Sequence, residues 1–173
     1  VSVDDFLPLA RYSGHPLIMR RSLSHALNLR AASIKAASFI GKDVTKANFV
    51  VGHLGGGISI AAVDKGKIID VNDASSDGPF SPERTGGLPL QPFINLCFSG
   101  TYSKNQIKKM VMGEGGLKAY LGTADLVEIE ENIRKGDQKA REIFHAMAYQ
   151  ISKEIGAMTT TMGGQIDAIV LTG

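Results

Sequence analysis

Three groups of residues have types suited to holding an anion. The first is His53-Leu-Gly55-Gly56-Gly57-Ile-Ser59, a histidine, three glycines and a serine between two apolar runs. Glycines there let bare backbone N–H groups approach an anion, and they also serve a plain hairpin, so both readings stay open at this point. Each glycine costs roughly 0.5–1 kcal/mol relative to alanine in regular structure, which three in succession must offset. The loop is not a Walker loop, because no Gly-Lys-Ser/Thr follows. It is not a dinucleotide fingerprint either, because a strand rather than a helix opens after it. The second group is His25, expected in the first turn of a helix, where unpaired N–H groups and the positive dipole end favour anions. A partly buried structural histidine is the alternative. The third is Arg84, in Glu83-Arg84-Thr85-Gly86. A guanidinium binds phosphate or carboxylate in a planar, bidentate way. It can equally be a surface arginine paired with Glu83 or Asp77.

The elements that must position these groups read as follows. Residues 1–20 form an irregular lead-in, with Pro8, Gly14 and Pro16 interrupting any period. A helix is predicted from about Ser22 or Ser24 to Ile40, with Leu23, Leu27, Ile34 and Ala37 on one face. Phe49–Leu54, Ile58–Val63 and Lys67–Val71 are predicted strands, joined by the glycine turn and by Asp64-Lys65-Gly66, and form an antiparallel meander. Asn72 to Pro89 is a long polar loop, and loops of that length in a compact domain are usually functional or disordered. Pro79, Pro82 and Pro89 with Phe80 argue for an ordered path.

The rest reads as mostly helical. Leu90–Phe98 is a short apolar helix. Ser103 and Gln106 fit a capping box. Gly113-Glu-Gly-Gly116 is a turn. Thr123 is expected to cap a helix carrying Leu126, Val127, Ile129 and Ile133. Asp137 is expected to cap the longest helix, with a stripe of Ala140, Phe144, Met147, Ile151, Ile155, Met158 and Met162. A final strand over Ile166–Leu171 would return parallel to the sheet through a helical crossover. The fold class is therefore α/β.

Composition bounds the function classes. The 173 residues are 43% hydrophobic and 21% charged, with a net charge of +2. That is an ordinary globular balance, with no nucleic-acid surface and no polybasic membrane surface indicated. The longest apolar runs are too short to cross a bilayer. The first residues carry two aspartates and lack the charged n-region of a signal peptide. A single cysteine, Cys97, excludes an intramolecular disulfide and a Cys-based metal site. It is expected to be a small buried hydrophobe, and a reducing cytoplasm is the natural compartment. The chain starts at Val1 and stops at Gly173, just past a strand, so it is expected to be a segment of a longer protein.

Taken in order, the motifs resemble a known family. His53-Leu-Gly-Gly-Gly-Ile-Ser59, Gly78-Pro-Phe-Ser-Pro-Glu-Arg84-Thr-Gly86 and Cys97-Phe-Ser-Gly100 are similar to the butyrate kinase branch of the acetate/butyrate kinase family. So are Lys118-Ala-Tyr-Leu-Gly-Thr123, Ala146-Met-Ala-Tyr-Gln-Ile151 and Asp167-Ala-Ile-Val-Leu-Thr-Gly173. The resemblance runs from about Val3 to the end. The family belongs to the actin, sugar kinase and Hsp70 superfamily. It implies two ribonuclease H-like domains with nucleotide between them, and residues 1–173 would be one such domain. Where acetate kinases carry a small-residue loop with asparagine, this chain has Gly56, and Phe-Ser-Pro-Glu precedes Arg84. Both departures favour the butyrate branch.

The resemblance implies reversible phosphoryl transfer between ATP and a short-chain or branched carboxylate, giving an acyl phosphate and ADP. His53, Gly55, Gly56, Gly57 and Ser59 resemble the turn that contacts nucleotide phosphates, and Gly173 opens the region that continues towards the adenosine. His25 resembles the family histidine near the phosphoryl group in flight. Arg84 resembles the arginine that binds that group and the carboxylate. The family match puts His25, Arg84 and the glycine loop around one phosphate. Mg2+ ligands and much of the acyl pocket are expected in a first domain preceding Val1, with no metal ligands assigned in this chain. Homo-oligomerisation is expected, since contact surfaces of a longer protein would be exposed. Two other classes compete: an actin- or Hsp70-like ATPase module, against which the Arg84 loop speaks, and a non-catalytic assembly domain using the Met-striped helix.

Overall fold

The computed structural model describes residues 6–173. Residues 1–5, the start of the expected irregular lead-in, lie outside the described residues. The rest of the lead-in is more regular than expected. Pro8–Arg11 is a 3-10 turn, and strands β1 (Tyr12–His15) and β2 (Ile18–Met19) pair antiparallel beyond it. Pro16 occupies the turn between them, so the residues read as breakers instead build a hairpin. Leu7 N–H donates to the Ile69 carbonyl at 3.0 Å, and Arg20 donates to the Ala10 carbonyl at 2.9 Å.

Helix α1 spans Ala26–Phe39. Its buried face is Leu29, Ser33 and Ala37, spaced by one turn. The face expected from the large apolar residues points outward: Leu27 is 72% exposed and Ile34 51%. Small side chains let α1 lie close over the sheet, and alanine and serine carry little hydrophobic signal. Strands β3 (Asn48–Leu54), β4 (Ile58–Asp64) and β5 (Lys67–Val71) follow the expected meander. Lys65 and Gly66 both have positive φ, 49° and 80°, as a two-residue hairpin turn of matching twist requires.

Then come α2 (Leu90–Cys97), α3 (Lys104–Val111), α4 (Gly116–Leu121), α5 (Leu126–Arg134), α6 (Gln138–Thr161) and β6 (Ala168–Thr172). The capping box of Ser103 and Gln106 is formed. The cap of α5 is Asp125, which accepts from Val127 N–H, rather than Thr123, which accepts from Asp125 N–H at 3.1 Å. Asp137 accepts from Ala140 N–H at 2.9 Å, as expected of the α6 cap. Every residue of the expected α6 stripe is buried or half-buried. Helix α2 buries none of its residues, and Cys97 is half-buried rather than a core residue. Among the described residues no helix is long and apolar enough to cross a membrane.

By its internal contacts the chain divides into two compact units. The first holds residues up to Leu54, Ile58–Ala74 and Ser152–Gly173. Its sheet runs β5-β4-β3-β6, with β6 parallel to β3 and the other pairs antiparallel. Alternation along β3 puts Phe49, Val51 and His53 on one face. Their partners there are Val63, Ala61 and Ser59 on β4, and Ala168, Val170 and Thr172 on β6. The core on this face joins Leu29 and Ala37 to Phe49, Val51, Ala61, Val63 and Val71. Full burial of each large apolar side chain contributes about 1.5–3 kcal/mol. Where β5 ends, the fully buried Asn72 amide continues its ladder: Oδ1 accepts from Ile60 N–H at 2.6 Å and Nδ2 donates to the Ile58 carbonyl at 3.0 Å.

The second unit holds Gly55–Gly57 and Ser75–Ile151. Its buried apolar residues include Phe80, Ile107, Leu117, Ile129, Ala140 and Met147.

Candidate functional site

In the first unit, the alternation that builds the apolar core ends in polar residues. His53 and Ser59 are register partners at the end of β3 and the start of β4. His25 meets them from α1. It is the residue before the helix, its N-cap, rather than part of the first turn, and its side chain makes no capping bond. The His25 and His53 rings stack with centroids 3.9 Å apart. His25 Nδ1 lies 3.0 Å from Ser59 Oγ, which also accepts from the His25 backbone N–H at 3.4 Å. Ser59 is fully buried. His53 Nδ1 lies 3.0 Å from Asn28 Oδ1, one helical turn after His25. Both rings are thus held through Nδ1. A pair of oriented imidazoles can donate to, or take a proton from, phosphate oxygens.

In the second unit, Gly55, Gly56 and Gly57 meet the Arg84 loop. A Cβ on Gly57 would sit 2.6 Å from Arg84 Cζ, so the guanidinium rests on bare backbone that only glycine provides. A Cβ on Gly56 would lie 3.3 Å from a Glu83 carboxylate oxygen. Ser81 Oγ donates to the Gly56 carbonyl at 2.7 Å and accepts from Arg84 N–H at 3.2 Å. The loop is held from behind by the Gly113–Gly116 turn. Gly113 and Gly115 N–H donate to the Glu83 carbonyl at 2.8 and 3.1 Å, and Leu117 N–H donates to the Ser81 carbonyl at 3.1 Å. Thr85 N–H reaches the Val111 carbonyl at 3.0 Å, and Arg84 forms a β-bridge with Met112. A Cβ on Gly116 would overlap the Ser81 carbonyl oxygen. The second glycine cluster, read from sequence as a turn, is the seat of the arginine loop.

Gly173 follows β6 in the first unit. Its φ is 153°, and a Cβ there would lie 2.8 Å from the Leu54 carbonyl carbon. The end of β6 therefore runs against the backbone that leads into the glycine turn. Three further residues emerge that sequence reasoning did not single out as site residues. Asn28 had a signal, its i+3 spacing from His25 on a helix. Ser81 had a weaker one, a serine before proline in an ordered loop. Asn72 had none beyond its place after β5. Among the described residues no group of three or more His, Cys, Asp or Glu is placed to hold a metal ion.

The fold is shared with solved kinase structures. Porphyromonas gingivalis acetate kinase superposes with a TM-score of 0.86 at 24% identity, over 95% of this chain and 43% of that one. A propionate kinase from Francisella tularensis superposes with a TM-score of 0.81 at 25% identity, over 92% of this chain and 43% of that one. These have the actin, Hsp70 and ribonuclease H-like fold, and the mixed sheet with its helices places this chain in that α/β class. The Acetokinase family model matches residues 7–173, and the chain belongs to that family. A probable butyrate kinase of Listeria welshimeri is 53% identical over 174 residues, covering all of this chain and 49% of the relative. Probable butyrate kinase 2 of Caldanaerobacter subterraneus is 47% identical over 173 residues, with the same 49% share. The chain spans about half the length of these curated relatives.

Proposed function

We propose that this chain is a segment of a two-domain carboxylate kinase, forming one of its ribonuclease H-like domains. The reaction is phosphoryl transfer from ATP to a short-chain or branched carboxylate, butyrate being the representative acceptor, to give an acyl phosphate and ADP. Family membership and the names of the relatives support the reaction class. The observation that carries the reading is the Arg84 guanidinium lying against the bare backbone of Gly57.

The acceptor carboxylate is already ionised, so no strong base is needed. Catalysis then rests on positioning and on neutralising charge at the equatorial oxygens. In this reading Arg84 binds the transferring phosphoryl group and the carboxylate. His25 donates a hydrogen bond to that group. His53, Gly55, Gly56, Gly57 and Ser59 form the nucleotide-phosphate turn, with Ser59 acting through His25, and Gly173 begins the passage towards the adenosine. Mg2+ enters with the nucleotide. In this reading its ligands lie mostly outside this chain, and no step is assigned to it here. A cytoplasmic setting accords with the single cysteine. Self-association accords with the exposed Leu90, Ile94 and Phe98 on and just after α2.

The test is hydroxylamine capture of acyl phosphate by the full-length protein, with ATP and a series of carboxylates. Hydroxamate is expected with butyrate and its branched analogues in preference to acetate, and little or none from the 173-residue chain alone. ATP hydrolysis without hydroxamate from any carboxylate would instead support an ATPase module.

A further inference from the structure

Ser81 is 1% exposed, and its N–H and hydroxyl are both engaged with the two loops of the candidate site. Its N–H donates to the Arg84 carbonyl at 2.9 Å, and Arg84 N–H returns to Ser81 Oγ at 3.2 Å. The hydroxyl proton is then available for the Gly56 carbonyl at 2.7 Å, the shortest of the three bonds. Between the partners, Pro82 fixes φ and has no N–H to compete for these acceptors. One buried hydroxyl thus ties the Arg84 backbone to the peptide next to Gly57, on which the guanidinium rests. We propose that Ser81 is a positioning residue, whose hydroxyl holds the Arg84 guanidinium in register with the Gly55–Gly57 turn.

The inference rests on the carboxylate kinase reading above, because it assigns Ser81 a role through Arg84. A misplacement of about 1 Å in a catalytic group costs on the order of 10²-fold in rate. Removing the hydroxyl leaves the Gly56 carbonyl and the Arg84 N–H without this partner, so the loops lose register while the surrounding apolar packing stays.

The experiment uses the full-length protein and hydroxylamine capture with ATP and butyrate. Ser81→Ala is expected to lower kcat by about 10²-fold, with the KM for ATP changing far less. Ser81→Thr, which keeps the hydroxyl, is expected to restore most of the rate. The double variant Ser81→Ala/Arg84→Ala is expected to be no slower than Arg84→Ala, because the tether acts only through the arginine. Should Ser81→Ala not fold, Ser81→Cys takes its place, its thiol filling similar space as a much weaker donor. A wild-type kcat in the variant lacking the hydroxyl overturns the proposal. So does a double variant slower than Arg84→Ala by the full Ser81→Ala factor. No hydroxamate from the wild-type protein with any carboxylate would instead sink the kinase reading itself, which keeps the two failures distinct.

Discussion

The imidazoles of His25 and His53 stack 3.9 Å apart and within 22° of parallel, each anchored through its own Nδ1. Ser59 Oγ already accepts the His25 backbone N–H, so its proton is available to His25 Nδ1. The neutral His25 ring is therefore expected to carry its proton on Nε2. Ser59→Ala removes that constraint and takes the Ser59 hydroxyl from the His25 backbone N–H, at a cost of about 1–3 kcal/mol. Nitrogen-15 NMR of the ring checks it: the Nε2–H tautomer should dominate in the wild type and give way to a mixture in Ser59→Ala.

Two glycines separate function from folding. At Gly57 an added Cβ meets the end of a flexible side chain, Arg84, which can swing away. Gly57→Ala is expected to cost under about 1 kcal/mol of stability while lowering kcat by about 10²-fold. At Gly116 an added Cβ meets the backbone carbonyls of Ser81 and Arg84, at a φ of +63°. Gly116→Ala is expected to cost roughly 3 kcal/mol or more, from overpacking and backbone strain together. Urea unfolding of both variants, set beside their turnover in the full-length protein, checks the contrast.

Much of the frame was legible before the structure. The β3, β4 and β5 strands were readable because short apolar runs are bounded by turn residues, as at Lys65-Gly66. The Ser103–Gln106 box and the α6 stripe are local patterns of the same kind. The buried face of α1 was not legible, because Ser33, Ala32, Ala36 and Ala37 bury little apolar area while Leu27 and Ile34 advertise the opposite side. The candidate site divides in the same way. Residue type pointed to Arg84, His25 and the three glycines. Asn28 and Ser81 were missed because their partners, His53 and the Gly56 carbonyl, each lie 25 residues away. The Gly113–Gly116 seat was missed because a glycine turn looks the same from sequence whatever it cradles.

Asp167 joins β6 to the start of β3. Its carboxylate pairs with Lys42 and accepts from Asn48 N–H at 2.8 Å. The Lys42 hydrogen bond first, and the Asn48 N–H second, hold the carboxyl below its ordinary value. A depressed folded-state pKa stabilises above the unfolded value of about 3.9, and that contribution is lost as pH falls through the lower folded value. Asp167→Asn should therefore melt below the wild type at neutral pH, with the gap closing as pH drops below about 3.9. A gap that persists unchanged in acid would remove the charge from the explanation. Thermal melts of the two proteins across that range make the comparison.

The most direct test of the account is the turnover of Arg84→Ala in the full-length protein, read by hydroxylamine capture with ATP and butyrate. A loss of about 10³–10⁵ in kcat, comparable to removing an arginine that neutralises phosphoryl charge in the transition state, is predicted, with the unfolding midpoint close to wild type. A near-normal kcat in the folded variant would contradict the assignment of Arg84 and of the glycine turn it rests on.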